Sequence, residues 1–196
     1  MIHPNTMVKT VSPAIGNGVF ATNLIKKGTI VVIRDKFDII LSQEEYNLLQ
    51  EPLREAMYTY IYIDKHSDFV LSWDHARFMN HSCESNTMMT DYGFEIAVKD
   101  IEQGEEITTE YGLLNVQEPY ELYCECTNCR NHLKLDDIDV HGHHWDFLVQ
   151  ESILNVFNVE QPLMPIMTNE IKQKLKELIN NENNYSSVKN LKWRKL

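Results

Sequence analysis

Between residues 17 and 41 the apolar positions come in short runs, separated by Gly28 and by the polar pair Arg34–Asp35. The β-branched and aromatic runs at 29–33 and 37–41 predict strands. Ser42 then stands as a helix N-cap with Glu45 three residues on, which closes a capping box. The helix that follows carries Tyr46, Leu49 and Leu53 toward Met57, and Pro52 is expected to kink or split it. Short strands return at Ile61–Ile63, Phe69–Leu71, 94–98 and Glu106–Thr109, with Gly93 and Gly104 in the turns. Past Gly112 only Gly142 remains of the seven glycines, and the spacing becomes helical. Trp145, Leu148, Val149, Ile153 and Phe157 predict one helix over 143–157. Ile171, Leu175, Leu178 and Ile179 predict another over about 168–181, capped by Thr168 without a capping box, because N3 is Ile171. The chain thus divides into a strand-rich body (1–115), a cysteine-bearing connector (116–134) and a helical C-terminal segment (135–196).

At 196 residues with 43% hydrophobic content, the chain can bury a core of ordinary domain size. Eighteen Lys and Arg against 29 Asp and Glu give a formal net charge of −11. That argues against direct nucleic-acid binding, which needs clustered positive charge, and suits a neutral or basic partner. No apolar run approaches the roughly 20 residues of a membrane span. The start, MIHPNTMVKTVSP, lacks the charged-then-apolar pattern of a secretory signal. The expectation is a soluble, intracellular protein without a membrane partner.

The four cysteines are Cys83, Cys124, Cys126 and Cys129. Three of them are crowded as C-x-C-x-x-C, a poor disulfide spacing, and a chain without a secretory signal implies a reducing compartment. Four thiolates are the full complement of a closed tetrahedral zinc site. Redox thiols or four unrelated small apolar residues are the competing readings. His141, His143 and His144 are crowded as well, but no carboxylate or cysteine is placed to complete a second site. Lys189, Lys192, Arg194 and Lys195 surround Trp193 in what reads as a frayed, solvated terminus.

Three segments, in order, carry a family resemblance: Ala14-Ile15-Gly16-Asn17-Gly18-Val19-Phe20-Ala21, then Arg77-Phe78-Met79-Asn80-His81-Ser82-Cys83-Glu84-Ser85-Asn86, then Gly104-Glu105-Glu106-Ile107-Thr108-Thr109-Glu110-Tyr111-Gly112. Over about residues 10–130 the chain resembles the SET-domain protein-lysine methyltransferases. The resemblance implies a mostly β fold with some α, a β-clip of short curved sheets with a pseudoknot crossing, a zinc-bound post-SET connector and a helical extension. It implies methyl transfer from S-adenosylmethionine to a lysine side chain in a protein, with a histone or another basic tail as one substrate. A non-catalytic SET-fold binding module is the alternative.

Gly16 and Gly18 lack side chains, which lets backbone approach a ligand and take up positive φ, though two glycines in a loop also serve geometry alone. The resemblance assigns Gly16, Asn17, Gly18, Asn80, His81 and Tyr111 to the cofactor, His81 largely through its backbone. Arg77 and Asn86 are expected to brace their own loop. Tyr111 is the principal catalytic candidate. A phenol with a pKa of about 10 is a poor base at neutral pH but a rigid hydrogen-bond partner. Aromatics are expected to wall the lysine channel, with Tyr120, four residues before Cys124, and Tyr62 as candidates. The resemblance also joins Cys83 to Cys124, Cys126 and Cys129 around one structural zinc.

Two departures stand out. Ser85 replaces the usual proline of N-H-S-C-x-P-N, expected to loosen the turn, and Glu110 stands where aspartate is common. The cysteine spacing points to the SMYD branch, but the zinc-binding MYND module of that branch is missing.

Overall fold

The computed structural model describes residues 1–124, 126–181 and 184–193. In chain order the strands are β1 (Thr6–Ser12), β2 (Gly16–Ala21), β3 (Ile30–Ile33) and β4 (Ile39–Leu41). Helices α1 (Gln43–Leu48) and α2 (Glu51–Tyr58) follow, then β5 (Ile61–Ile63), β6 (Phe69–Leu71), β7 (Asn80–His81), β8 (Thr87–Met89), β9 (Phe94–Ala97) and β10 (Glu106–Thr109). The connector contributes β11 (Tyr120–Glu121) and β12 (His132–Leu133), and the C-terminal segment α3 (Asp137–Ile153) and α4 (Asn169–Asn180). Among the described residues no helix is long and apolar enough to cross a membrane.

The local signals act as read. Ser42 and Glu45 form the reciprocal cap of α1, and Pro52 sits in the first turn of α2, where its missing N–H costs nothing. Tyr46 of α1 stacks on Phe69 of β6 with ring centroids 4.0 Å apart, which fixes the helix pair on the small sheet β4–β6–β5. Strands β1, β7, β8, β11 and β12 carry no sequence expectation. β1 is an edge strand with a mostly exposed pattern, and the other four are only two or three residues long, too short to show a period.

The main sheet runs β1-β2-β10-β8-β9-β3, with β7 also paired to β10. Its centre is β10, antiparallel to β2 but parallel to both β7 and β8. This mixed pairing sets Asn80 opposite Thr108 and His81 opposite Thr109, two residues before Tyr111. Asn86 holds the crossing. Its side chain donates to Glu106 O (2.8 Å) and Glu105 Oε1 (3.1 Å) and accepts from Thr108 N (2.8 Å). Asn86 therefore bolts its loop to β10 instead of bracing its own turn as expected. Asn86→Ala is expected to lower unfolding free energy by about 3 kcal/mol, because three bonds worth about 1 kcal/mol each vanish between part-buried groups. A urea denaturation midpoint unchanged by the substitution would contradict this bracing role. The turn ahead of it is not loosened by Ser85, whose N–H donates to Ser82 O at 3.1 Å, a bond that proline cannot make.

The C-terminal helices share the core of the strands. Ile30, Phe94 and Ile96 from the sheet pack with Trp145, Val149 and Ile153 of α3 and Leu175 and Leu178 of α4. Helix α3 starts six residues earlier than its apolar spacing suggests, and it ends at Ile153. Val156 then takes a core place while Phe157 is exposed. His141 packs its ring against Trp145, while His143 and His144 face outward.

The tail to residue 193 is docked, contrary to the frayed terminus expected. Asp146 of α3 accepts from Tyr185, Ser187 and the Val188 N–H, and Asn115 bonds Leu191 O and Trp193 N. Long-range polar anchors of this kind leave no trace in local composition. Arg194 and Lys195 lie outside the described residues.

Candidate functional site

Two clusters meet at the β7–β10 crossing. On one side, Asn80 Nδ2 donates to Asn17 O (3.0 Å) and Glu106 Oε1 (2.8 Å). Gly16 has φ +86° with open space where a side chain would be, the geometry of backbone free to receive a ligand. Gly18 is different from its expected role. It takes no positive φ, and a Cβ there would run into Glu106, Val11 and Asn80. Its missing side chain serves close packing of β2 on Asn80.

On the other side lies a cavity of about 710 Å³ whose wall includes Tyr60, Tyr62, Tyr111, Tyr120, Glu95 and Thr109. The three tyrosines picked from sequence therefore converge. Tyr62 comes from β5, and Tyr120 is held at the mouth by the β11–β12 hairpin, where it is 42% exposed. Gly16, Asn17, Gly18, Asn80 and His81 are not among its lining residues. Tyr111 stands at the junction: its hydroxyl donates to Met79 O (2.9 Å), and its ring lies 5.3 Å from that of His81. With its proton committed to Met79, the phenol offers the cavity oxygen lone pairs. Burial pushes Tyr111 and Tyr62 well above the usual phenol range, and the partial burial of Tyr120 takes it up to about 12. All three remain protonated at neutral pH.

His81 is spoken for by protein. Its Nδ1 accepts from Tyr111 N (3.3 Å), which leaves the ring proton on Nε2, 3.3 Å from Cys83 Sγ. Burial, then the nearby Arg130 charge, depress its pKa to about 4, so the ring is neutral and only its backbone is free for a ligand.

The sulfurs of Cys83, Cys124, Cys126 and Cys129 all lie within 4.8 Å of one another. Cys124 Sγ is 3.7, 3.1 and 3.2 Å from those of Cys83, Cys126 and Cys129. These separations exclude disulfides and approach the roughly 3.8 Å between sulfurs bound about 2.3 Å from one zinc. Backbone N–H groups of Arg130 and Asn131 point at Cys83 and Cys129 Sγ (3.4 and 3.3 Å), as thiolates require. The donor set and its N–H shell fit a closed four-cysteine zinc site.

Glu110 and Arg130 were not singled out as a pair from sequence. Glu110 is fully buried; its Oε1 accepts from Gly112 N (2.8 Å) and from Arg130 Nη2 (2.6 Å). Burial outweighs the pull of Arg130 and pushes its pKa up to about 7. The Arg130 guanidinium also lies over Trp145 and 3.7 Å from Asp137. This ties the cysteine connector and α3 to the residue preceding Tyr111. Only a charge stranded next to Cys129 hinted at it. Arg77, expected to anchor its loop, does so through Trp73 O (3.2 Å).

The SET domain family model matches residues 16–112. A curated relative, the "Variant-silencing SET domain-containing protein" of Plasmodium falciparum, is 29% identical over 133 residues. The match takes in 60% of this chain, which spans only 5% of the length of that protein. Among solved structures, the methyltransferase domain of human histone-lysine N-methyltransferase SETMAR aligns with a TM-score of 0.47 and 20% identity, over 68% of this chain and 58% of that one. The matched span holds the two-glycine strand, the Asn80–His81 crossing and Tyr111, and through it this chain belongs to the SET-domain family.

Proposed function

We propose that this chain transfers a methyl group from S-adenosylmethionine to the side-chain nitrogen of a lysine in a protein. The observation that carries the reading is the position of Tyr111, between the Asn17–Asn80 cluster and the tyrosine-walled cavity. S-adenosylmethionine, when bound, supplies an electrophilic methyl on a sulfonium. Gly16 and Asn17 offer open backbone for its carboxylate end, the Asn80 amide, with its NH2 committed to Asn17 and Glu106, leaves its oxygen as an acceptor for the amino end, and the His81 backbone adjoins them. Gly18 supports this side by letting β2 close on Asn80.

The cavity takes the lysine. Tyr60, Tyr62 and Tyr120 form an aromatic sleeve that accepts an alkyl chain and tolerates its cationic tip. A lysine with a pKa of about 10.4 enters mostly protonated, and burial among aromatics favours the uncharged, nucleophilic amine. Tyr111 fixes the direction of that amine through its oxygen, and alignment supplies most of the rate. Zinc in the four-cysteine site is structural, since no coordination position is left open. The acidic surface suits a lysine-rich segment as substrate, with histone tails as one candidate.

Calorimetric titration with S-adenosylmethionine, followed by radiolabelled methyl transfer across a protein array, tests the reading. Binding with transfer to lysine is the expected result. Binding without transfer to any protein would instead support a SET-fold binding module.

A further inference from the structure

The floor of the cavity holds a carboxyl that the reaction described above leaves unused. Glu95 sits on β9 between its cross-strand neighbours Val32 and Met89, in a strand otherwise made of Phe94, Ile96 and Ala97. It is 6% exposed and lines the cavity, and no ion pair reaches it among the described residues. Tyr62 and Tyr111 line the same cavity as Glu95.

Glu95 Oε2 is 3.0 Å from Thr87 Oγ1, and that same hydroxyl is 3.0 Å from Thr108 O. A hydroxyl has one proton and a carbonyl can only accept. If Thr87 donates to Thr108, the second contact closes when Glu95 carries a proton and donates it to Thr87 Oγ1. Desolvation acts in the same direction, because an unpaired buried carboxylate is far costlier than the neutral acid. The Thr109 and Thr87 hydroxyls both favour the charged form, but burial outweighs them and pushes the Glu95 carboxyl above its usual range. Among the described residues Glu95 Oε1 makes no hydrogen bond, and the residue lines the cavity.

We propose that Glu95, held as the neutral acid, presents Oε1 as acceptor for an N–H of the incoming lysine amine, and so makes an amine without N–H the poorest occupant of the site. The inference rests on the methyltransferase reading for the identity of that amine. A carboxylate would hold an ammonium and oppose its deprotonation, whereas a neutral acceptor orients the free amine without that cost. The free amine has two N–H groups before the first transfer, one before the second and none before the third. Tyr111 and Glu95 can each take one. The product should therefore stop at mono- and dimethyl-lysine.

The test uses n-butylamine and its N-methyl, N,N-dimethyl and N,N,N-trimethyl forms, titrated into the full chain with S-adenosylhomocysteine present and followed by ligand-observed NMR. At neutral pH all four are cations, and only the last has no N–H. The trimethyl probe is expected to bind at least about 5-fold more weakly than the monomethyl probe, the cost of leaving a buried acceptor unpaired. Glu95→Gln keeps a neutral carbonyl acceptor and should keep the ladder; Glu95→Leu removes one of the two acceptors and should shrink it to the share that Tyr111 carries. A flat ladder in the unaltered protein, or an unchanged one in a folded Glu95→Leu, overturns the proposal, and the first needs no variant to fold. A clear ladder without methyl transfer to any protein would sink the methyltransferase reading while Glu95 kept its role. Transfer with a flat ladder would do the reverse.

Discussion

Tyr111→Phe is expected to lower the proposed methyl transfer about 100-fold while S-adenosylmethionine affinity changes by less than about 2-fold. The substitution keeps the ring, and with it the packing against His81, but removes the oxygen. That oxygen is held by its donation to Met79 O, the carbonyl just before Asn80, so its lone pairs have one fixed direction. Loss of such a pre-aligned partner affects the reacting geometry rather than ground-state binding, and a misplacement of about 1 Å is enough for a 100-fold loss. The reading makes a split prediction: kcat falls and the cofactor titration stays put. Unchanged kinetics would falsify the role given to Tyr111. A parallel fall in cofactor affinity would move the residue to the donor side of the crossing.

Removing zinc is expected to have the other large effect. The purified chain should contain about one zinc, and chelation or Cys124→Ser should abolish methyl transfer along with it. A structural zinc contributes apparent folding free energy of about 10–16 kcal/mol, comparable to or larger than the whole stability of an ordinary domain. Here the connector, closed on itself by the short β11–β12 hairpin, joins the body through the sulfur of Cys83 and through Arg130. With the sulfurs released, Arg130 loses its fixed position beside Glu110, and a fully buried carboxylate left unpaired costs about 3–5 kcal/mol. Tyr120 would leave the cavity mouth with the same hairpin. Hydrogen exchange over residues 118–134 should therefore accelerate as zinc leaves. If metal-free protein retains full activity and the exchange pattern does not change, the clamp has no part in the reaction.

The two effects are linked by a single residue that neither motif reading nor composition brings forward. Arg130 touches the sulfur shell through its N–H, Glu110 through its guanidinium, and Trp145 through its face. Its neighbours come from three separate stretches of the chain, so no local window contains the reason for it. The same holds for Asn86, which reads as a turn residue because Ser and Asn crowd its loop. Its partners Glu105, Glu106 and Thr108 become visible only when β10 lies alongside.

What the sequence determined by itself was everything set by near neighbours. The α1 cap, the break at Pro52, the short strands and the crowded Cys124, Cys126 and Cys129 all depend on spacing within a few residues, and the three motifs placed Asn80, His81, Cys83 and Tyr111 in one family pattern. Tertiary structure decided how those pieces are used. The parallel pairing of β7 with β10 brings residues 28 or more positions apart into register, and only then do Tyr62, Tyr111 and Tyr120 share one chamber. It also assigned Gly18 to packing and docked the tail on Asp146. Finally, it buried Glu95 in a wall where a strand pattern calls for an apolar side chain. Burial and long-range hydrogen bonding are properties of the assembled chain, and they govern which polar groups stay neutral and which face the cavity.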